Sequence, residues 1–495
     1  MLVPFDDDVT DDVDDASDDA PSPEDVALDA PRADVAMDTP RTDALADAPR
    51  VDVSMDAPRM DAVADVTRAD AAADVQRADV PADRPTDAGG FNFPTPIRHV
   101  IVIVKENHTL DSMFTGLPGA NTTTTARRSS GPAWTRTRLP SGVLPSDVGH
   151  SHHSAVVAYA NGAMNGFDTN SEATSTNHSP TLALRYYAES QIPNYWQYAR
   201  RFVLCDRFFS AVLANSTPGH FALWTAQTPM ISNPDCPGPD CDSGPGCYAE
   251  RGTTIATLNQ TTCAISTGSA RPCFDVPSVI DHLPPSLSWR AYAHADAAGD
   301  VYSPISLVRS ATRSRAYFDA HVANQTALVA DLRAGRQANI TYVHVGGGAS
   351  EHPPADICPG ENFTVNVINA AMEGPNWRDT AILFTYDDWG GFYDHVAPPQ
   401  SACRNGDHVS LGFRLPLIII SPYTRRSTDP AHPYVFHGTS EQASVPKLIE
   451  DLFRLPRMSV TDRHARDTVA GSLMGAFDFT HPDFTPVILR TRTCP

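Results

Sequence analysis

The stretch HVIVIVKENHTLDSMF, residues 99–114, decides how the chain is read. Val100 to Val104 form an unbroken β-branched run that stops at Lys105, Glu106, Asn107 and His108. A short continuous apolar run without alternation fits a strand covered on both faces, as in a parallel sheet. The polar residues after it are either a surface turn or one edge of a site. In open parallel sheets ligands bind beyond the carboxyl ends of the strands, so charged residues just after a strand carry more weight than ordinary loop residues.

Other runs repeat the pattern. Phe202–Cys205, Tyr342–Val345, Ala381–Thr385 and Leu415–Ile420 read as further buried strands. Between them lie helical patterns: Pro180–Glu189 with Ser179 as N-cap and Pro180 at the first position, Thr326–Arg336, and Val445–Arg454. Strands alternating with helices predict an α/β layered fold.

The chain has 495 residues and a net charge of −22, but the acidity is uneven. Residues 1–90 hold 25 acidic and 7 basic side chains, so they account for −18. Arg recurs every nine residues from Arg32 to Arg77, each followed two places later by Asp. A segment this charged and poor in large apolar groups cannot offset the entropy of ordering, which predicts a disordered acidic tether over residues 1–90. A repeat of this kind also suits a calcium-binding array, but the units lack the glycines that tight calcium turns need. The folded part is expected over residues 91–495. No apolar run reaches the roughly 18 residues that span a bilayer.

Nine cysteines are present, five of them in residues 236–273 among Pro, Gly, Asp and Ser. Their spacing fits no common zinc pattern, which favours a disulfide-pinned insertion, taken as residues 229–275, over a zinc knuckle. Disulfides predict a secreted, periplasmic or cell-surface protein, although no secretory signal is visible at Met1. Residues 1–90 would then tether it at the outer surface.

Four stretches can carry chemistry. After Val100–Val104 come Glu106 and Asn107; in DTAILFTYDDWGGFYDH, residues 379–395, the strand runs into Asp387 and Asp388, then Gly390 and Gly391. Adjacent carboxylates raise each other's pKa unless a cation lies between them. Oxygen donors of this kind suit Mg²⁺, Ca²⁺ or Mn²⁺, and carboxylates also bind Zn²⁺. In LANSTPGHFALW, residues 213–224, Ser216 stands at a helix start, either as a cap or as a nucleophile beside amides that favour an anion. Histidines gather as His150, His152 and His153, with His352 in SEHPP; such side chains can move protons.

Taken in order, these blocks resemble the bacterial phosphoesterase family that includes phosphatidylcholine-type phospholipases C and acid phosphatases, within the alkaline-phosphatase-like superfamily. The similarity runs over about residues 96–456 and is most specific in YDDWGGFYDHVAPP. His108, Thr109 and Leu110 depart from the family's Arg-Ser-Phe, and Gly219 replaces its Asn. The resemblance implies a three-layer α/β/α sandwich with a mostly parallel sheet. It implies a divalent metal held by Glu106, Asn107, Asp387, Asp388 and Ser216, with Ser216 as nucleophile and His150 and His352 at the phosphoryl or leaving group.

It also implies a metal-dependent phosphoric ester hydrolase acting through a phosphoserine. Ser216 and Asp388 favour an acid-phosphatase-type monoesterase; a phospholipase C is the alternative. The expected partner is a small phosphate ester or a phospholipid, and no nucleic-acid partner is expected. A surface-displayed binding protein on a decayed scaffold is opposed by the intact Glu-Asn, Asp-Asp and Ser set. A sulfatase is opposed by His220, which stands where that pattern has Arg.

Overall fold

The computed structural model describes residues 91–170, 181–235, 246–294, 304–402 and 408–494. The expected tether, together with Cys236, Cys241 and Cys403, lies outside the described residues. The main sheet contains β1 (His99–Lys105), β2 (Val203–Cys205), β3 (Trp289–Ala293), β4 (Val322–Asn324), β5 (Ile340–His344), β6 (Thr380–Tyr386), β7 (Leu417–Ile420) and β8 (Val435–Phe436). Their order across the sheet is β8-β2-β7-β6-β1-β5-β3-β4.

Neighbouring strands are parallel except at β7, which runs against both β6 and β2. The sheet is thus mostly parallel, as expected, with Leu417–Ile420 as its one antiparallel strand among the described residues. A strand buried on both faces shows the same apolar run in either direction, so composition carries no sign of its polarity.

The alternation of side chains along β1 divides the core into two layers. Ile101 and Ile103 pack with Tyr195 and Tyr198 of helix Pro193–Arg201 and with Val365 and Ile368 of helix Ile357–Glu373. Val100, Val102 and Val104 face the opposite layer, with Phe221 and Trp224 of helix Ser216–Thr225 and Leu448 and Leu452 of helix Ser444–Phe453. This is a three-layer α/β/α sandwich.

Two helical expectations change. No helix forms over residues 181–188: turns cover 181–184, and Tyr186 bridges to Arg138. Leu182, Leu184 and Tyr187 bury their side chains from this irregular backbone. The helix begins later, with Pro193 at its first position. The helix expected over Thr326–Arg336 shortens to Leu328–Arg333, preceded by a 3-10 turn at Gln325–Ala327.

Cys247 bonds to Cys273, and Cys358 to Cys494; Cys263 is also disulfide-bonded. Cys205 is a buried free thiol at the end of β2. The Cys358–Cys494 bridge spans 136 residues and ties the C-terminal segment to helix Ile357–Glu373. A crosslink over so long a loop restricts the unfolded chain strongly. Replacing both cysteines by Ser is expected to remove about 2–5 kcal/mol of stability in urea unfolding, with a cooperative transition retained.

Candidate functional site

Topology brings the charged residues together. β5, β1 and β6 are adjacent and parallel, so their carboxyl ends share one edge. From β1 come Glu106 and Asn107, from β6 Asp387 and Asp388, and the loop after β5 supplies His352. The Glu106 N–H donates to Ser350 O at 3.0 Å and the Asp387 N–H to Lys105 O at 3.0 Å, which locks the three ends in register.

The opening stretch now divides by role. Lys105 and His108 point away from the site. The Lys105 ammonium, fully buried, lies 3.1 Å from Glu351 and donates to Gly360 O at 3.1 Å. Glu351 also accepts from the Tyr195 and Tyr386 hydroxyls. His108 is packed among Tyr187, Tyr386 and Phe392, and burial, with His352 and Lys105 nearby, pushes its pKa down to about 3, so the ring is neutral. Asn107 adopts a left-handed turn with φ of 67°. Its backbone comes so close to Gly390 that a Cβ there would lie 2.3 Å from Asn107 O. The glycine after the two aspartates therefore has a steric reason.

Glu106, Asp387 and Asp388 are each at most 1 % exposed. Asp387 accepts the Asn107 N–H at 2.9 Å, and Asp388 accepts the Gly390 N–H at 2.6 Å. Burial first, and then Glu106, raise Asp387 to about 7. Burial first, and then Asp387, hold Asp388 well above the carboxylate range. Asn107 Oδ1 and Asp387 Oδ2 are buried with no hydrogen-bond partner. Crowded carboxylates with buried acceptors that receive no donor fit a bound cation, whose charge would reverse these shifts.

Ser216 opens its helix, and its hydroxyl donates to Asp388 Oδ2 at 3.2 Å. His150 stands on the other side, with Nε2 3.9 Å from Asp388 Oδ2 and 3.5 Å from Asn107 Nδ2. Its ring centroid is 5.5 Å from that of His352. The structure thus brings Ser216 and His150 to Asp388, and His352 to His150. Asp147 joins the two histidines in one cluster.

Sequence reasoning missed His220 as a site residue. It lies on the Ser216 helix, with Nε2 2.8 Å from Glu106 Oε1 and 3.6 Å from Asp387 Oδ2. His344, at the end of β5, was missed too; its Nδ1 is 3.0 Å from His220 Nδ1. The signal for His220 was its helical spacing from Ser216. His344 had none, since it looks like the last residue of an apolar strand. Gly219 has a packing reason: a Cβ there would lie 2.1 Å from Asp387 O. Of the amides at this helix start, that of Thr217 donates at 2.8 Å to Asn233 Oδ1, from the Cys-rich segment.

The Phosphoesterase family matches residues 97–456, and the chain belongs to it. Phospholipase C A of Mycobacterium tuberculosis is 25% identical over 442 residues, covering 78% of this chain and 78% of its own length. Non-specific phospholipase C3 of Arabidopsis thaliana is 22% identical over 444 residues, covering 80% of this chain and 76% of its own length. A solved protein of the alkaline phosphatase superfamily from Vibrio parahaemolyticus aligns over 73% of this chain and 69% of its own, at 8% identity and a TM-score of 0.32. The chain is a phosphoester hydrolase.

The raised Asp387 gives a pH test. Its folded pKa lies above the ordinary value near 4, so between about pH 4 and pH 7 the folded, metal-free chain binds more protons than the unfolded one. Stability from this group is therefore lost as pH rises, by at most about 1.4 kcal/mol per pH unit. In chelator-treated protein, Asp387→Asn is expected to gain on the wild type steadily from about pH 5 to about pH 7 in urea unfolding. Parallel pH profiles would contradict the raised carboxyl.

Proposed function

We propose that the chain is a metal-assisted phosphoester hydrolase that attacks phosphorus with Ser216 Oγ and passes through a phosphoserine. The observation that carries the reading is the Ser216 hydroxyl on Asp388, set against the buried Glu106, Asn107 and Asp387. Glu106, Asn107, Asp387, Asp388 and Ser216 are the residues that would hold the divalent ion. When bound, the ion supplies positive charge that lowers the pKa of the attacking hydroxyl and offsets charge on the phosphoryl oxygens.

The residues then divide the work. Asp388 Oδ2 orients the Ser216 hydroxyl and takes its proton as the bond from Oγ to phosphorus forms. The ester bond on the opposite side breaks, and the leaving oxygen takes a proton from an imidazole. His352 suits that role. Burial pulls its pKa down, but the Glu106 and Asp147 carboxylates outweigh this and hold it above its ordinary value. His150, between Asp388 and His352, is placed to contact the phosphoryl group. Water then breaks the phosphoserine bond and regenerates the hydroxyl, releasing the phosphate product.

For the substrate, a phospholipid cleaved in the manner of a phospholipase C comes first, supported by relatives of that name spanning most of both chains. The second reading is an acid-phosphatase-type monoesterase, favoured by a serine at position 216 and an aspartate at 388. Both use the same chemistry and differ in whether phosphorus carries a second ester. An exported or surface location is supported by the disulfides Cys247–Cys273 and Cys358–Cys494. Among the described residues no helix is long and apolar enough to cross a membrane.

Turnover of p-nitrophenyl phosphorylcholine and p-nitrophenyl phosphate separates the readings. Wild type is expected to favour the diester. Ser216→Ala and chelation are each expected to lower turnover by at least about 10³-fold with the fold intact. A preference for the monoester moves the acid phosphatase first. Undiminished turnover in Ser216→Ala excludes the phosphoserine route.

A further inference from the structure

Beside the Ser216 helix, three aromatic side chains and a carboxylate form a buried chain. Trp224 Nε1 lies 3.0 Å from His344 Nε2, His344 Nδ1 lies 3.0 Å from His220 Nδ1, and His220 Nε2 lies 2.8 Å from Glu106 Oε1. All four residues are at most 1 % exposed. The indole is held by stacking on Tyr342 at 3.7 Å, and Tyr342 is itself fixed by its hydroxyl on Leu223 O at 2.7 Å.

The direction of this chain is decided at one end. An indole nitrogen donates and cannot accept. His344 Nε2 must therefore accept, and it carries no proton. Burial, with His220 adjacent, keeps the His344 ring neutral. A neutral imidazole carries one proton, so it sits on Nδ1 and points at His220 Nδ1. That nitrogen must then be bare, because two N–H groups facing each other at 3.0 Å would repel. The proton of His220 is left on Nε2, where it donates to Glu106.

We propose that Trp224, His344 and His220 form a one-way hydrogen-bond relay that keeps a proton on His220 Nε2, making His220 a positioning residue for Glu106 rather than a metal ligand. Glu106, His220 and Asp387 lie close enough to pass for a mixed nitrogen and oxygen metal trio. In the relay, His220 offers that trio a proton and no lone pair. The donor set is then oxygen alone, which favours hard cations such as Mg²⁺, Ca²⁺ or Mn²⁺. The proton positions stand on the bonding chain itself; only this consequence for the metal rests on the reading of Glu106 as a ligand. Partners that orient metal ligands in this way typically change metal affinity by about 10–100-fold when lost.

The test is nitrogen NMR of the metal-free full chain labelled with ¹⁵N-histidine, with the two rings assigned by His220→Gln and His344→Gln. The expected result is a proton on Nδ1 of His344 and on Nε2 of His220. In Trp224→Phe the constraint is gone, and both rings are expected to move toward tautomer-averaged shifts. A bare Nε2 on His220 in the wild type would overturn the relay. Mn²⁺ binding, followed by electron paramagnetic resonance, gives a second readout. His220→Gln, whose amide nitrogen can donate from about the same place, is expected to keep most of the affinity, while His220→Leu loses about 10–100-fold. Equal losses in the two variants would make the imidazole a direct ligand and overturn the proposal. These readouts are independent of turnover, so an inactive protein with the expected tautomers would count against the hydrolase reading alone.

Discussion

Three carboxylates buried against one another at two neighbouring strand ends are the constraint around which this fold is arranged. Glu106, Asp387 and Asp388 sit where β1 and β6 finish side by side, with almost no exposure. Like charges withdrawn from water cannot coexist without a proton, a cation or donated hydrogen bonds. The protein supplies donors from the same strand ends and from the Ser216 helix: the amides of Asn107 and Gly390, the Ser216 hydroxyl and the His220 ring. These do not cancel the charge, as the raised Asp387 and Asp388 show. An arrangement that disfavours its own empty state is one that a divalent cation stabilises.

The neighbouring polar cluster is built from opposite charges instead. Lys105 and Glu351 pair at 3.1 Å with both side chains fully buried, and Tyr195 and Tyr386 donate to the same carboxylate. Opposite charges are paired and hydrogen-bonded there, although burial still raises Glu351 and lowers Lys105, and the cluster forms a post next to His352 in sequence. One side chain separates the two kinds of residue: Lys105 belongs to the post, and Glu106, the next in sequence, to the site. The turn at Asn107 then sends the chain back into the core at His108.

Much of this was legible because strands and acidic pairs are local patterns. Val100–Val104 and Ala381–Thr385 announce themselves by composition, and the pairs that follow them share an edge once the strands are parallel and adjacent. What was hidden depends on distant partners. The reversed direction of β7 leaves no mark on Leu417–Ile420, because either direction buries the same side chains. Of the helix expected over Pro180–Glu189, Pro180 and its Ser179 cap lie outside the described residues, and residues 181–188 are irregular, since burying Leu182, Leu184 and Tyr187 outweighs helical propensity. His344 is recognisable only when Trp224 and His220 are placed on either side of it. Asn233, more than ten residues past the Ser216 helix start, reaches back to the Thr217 amide by a route no spacing rule describes.

Gly219 and His220 are best understood together. In this chain the Ser216 helix presses so closely on β6 that a side chain at 219 would run into Asp387 O. That same carbonyl accepts from Gln442 Nε2, whose Oε1 takes the Ala211 N–H at 2.8 Å, so the strand end has no slack to yield. Close approach is what lets an imidazole, a short side chain, reach from the helix to Glu106. A larger residue at 219 would push the helix outward, and His220 would then fall short of the carboxylate. Gly at 219 is therefore a geometric condition for the histidine that follows it, and the two positions act as one unit at the edge of the carboxylate cluster.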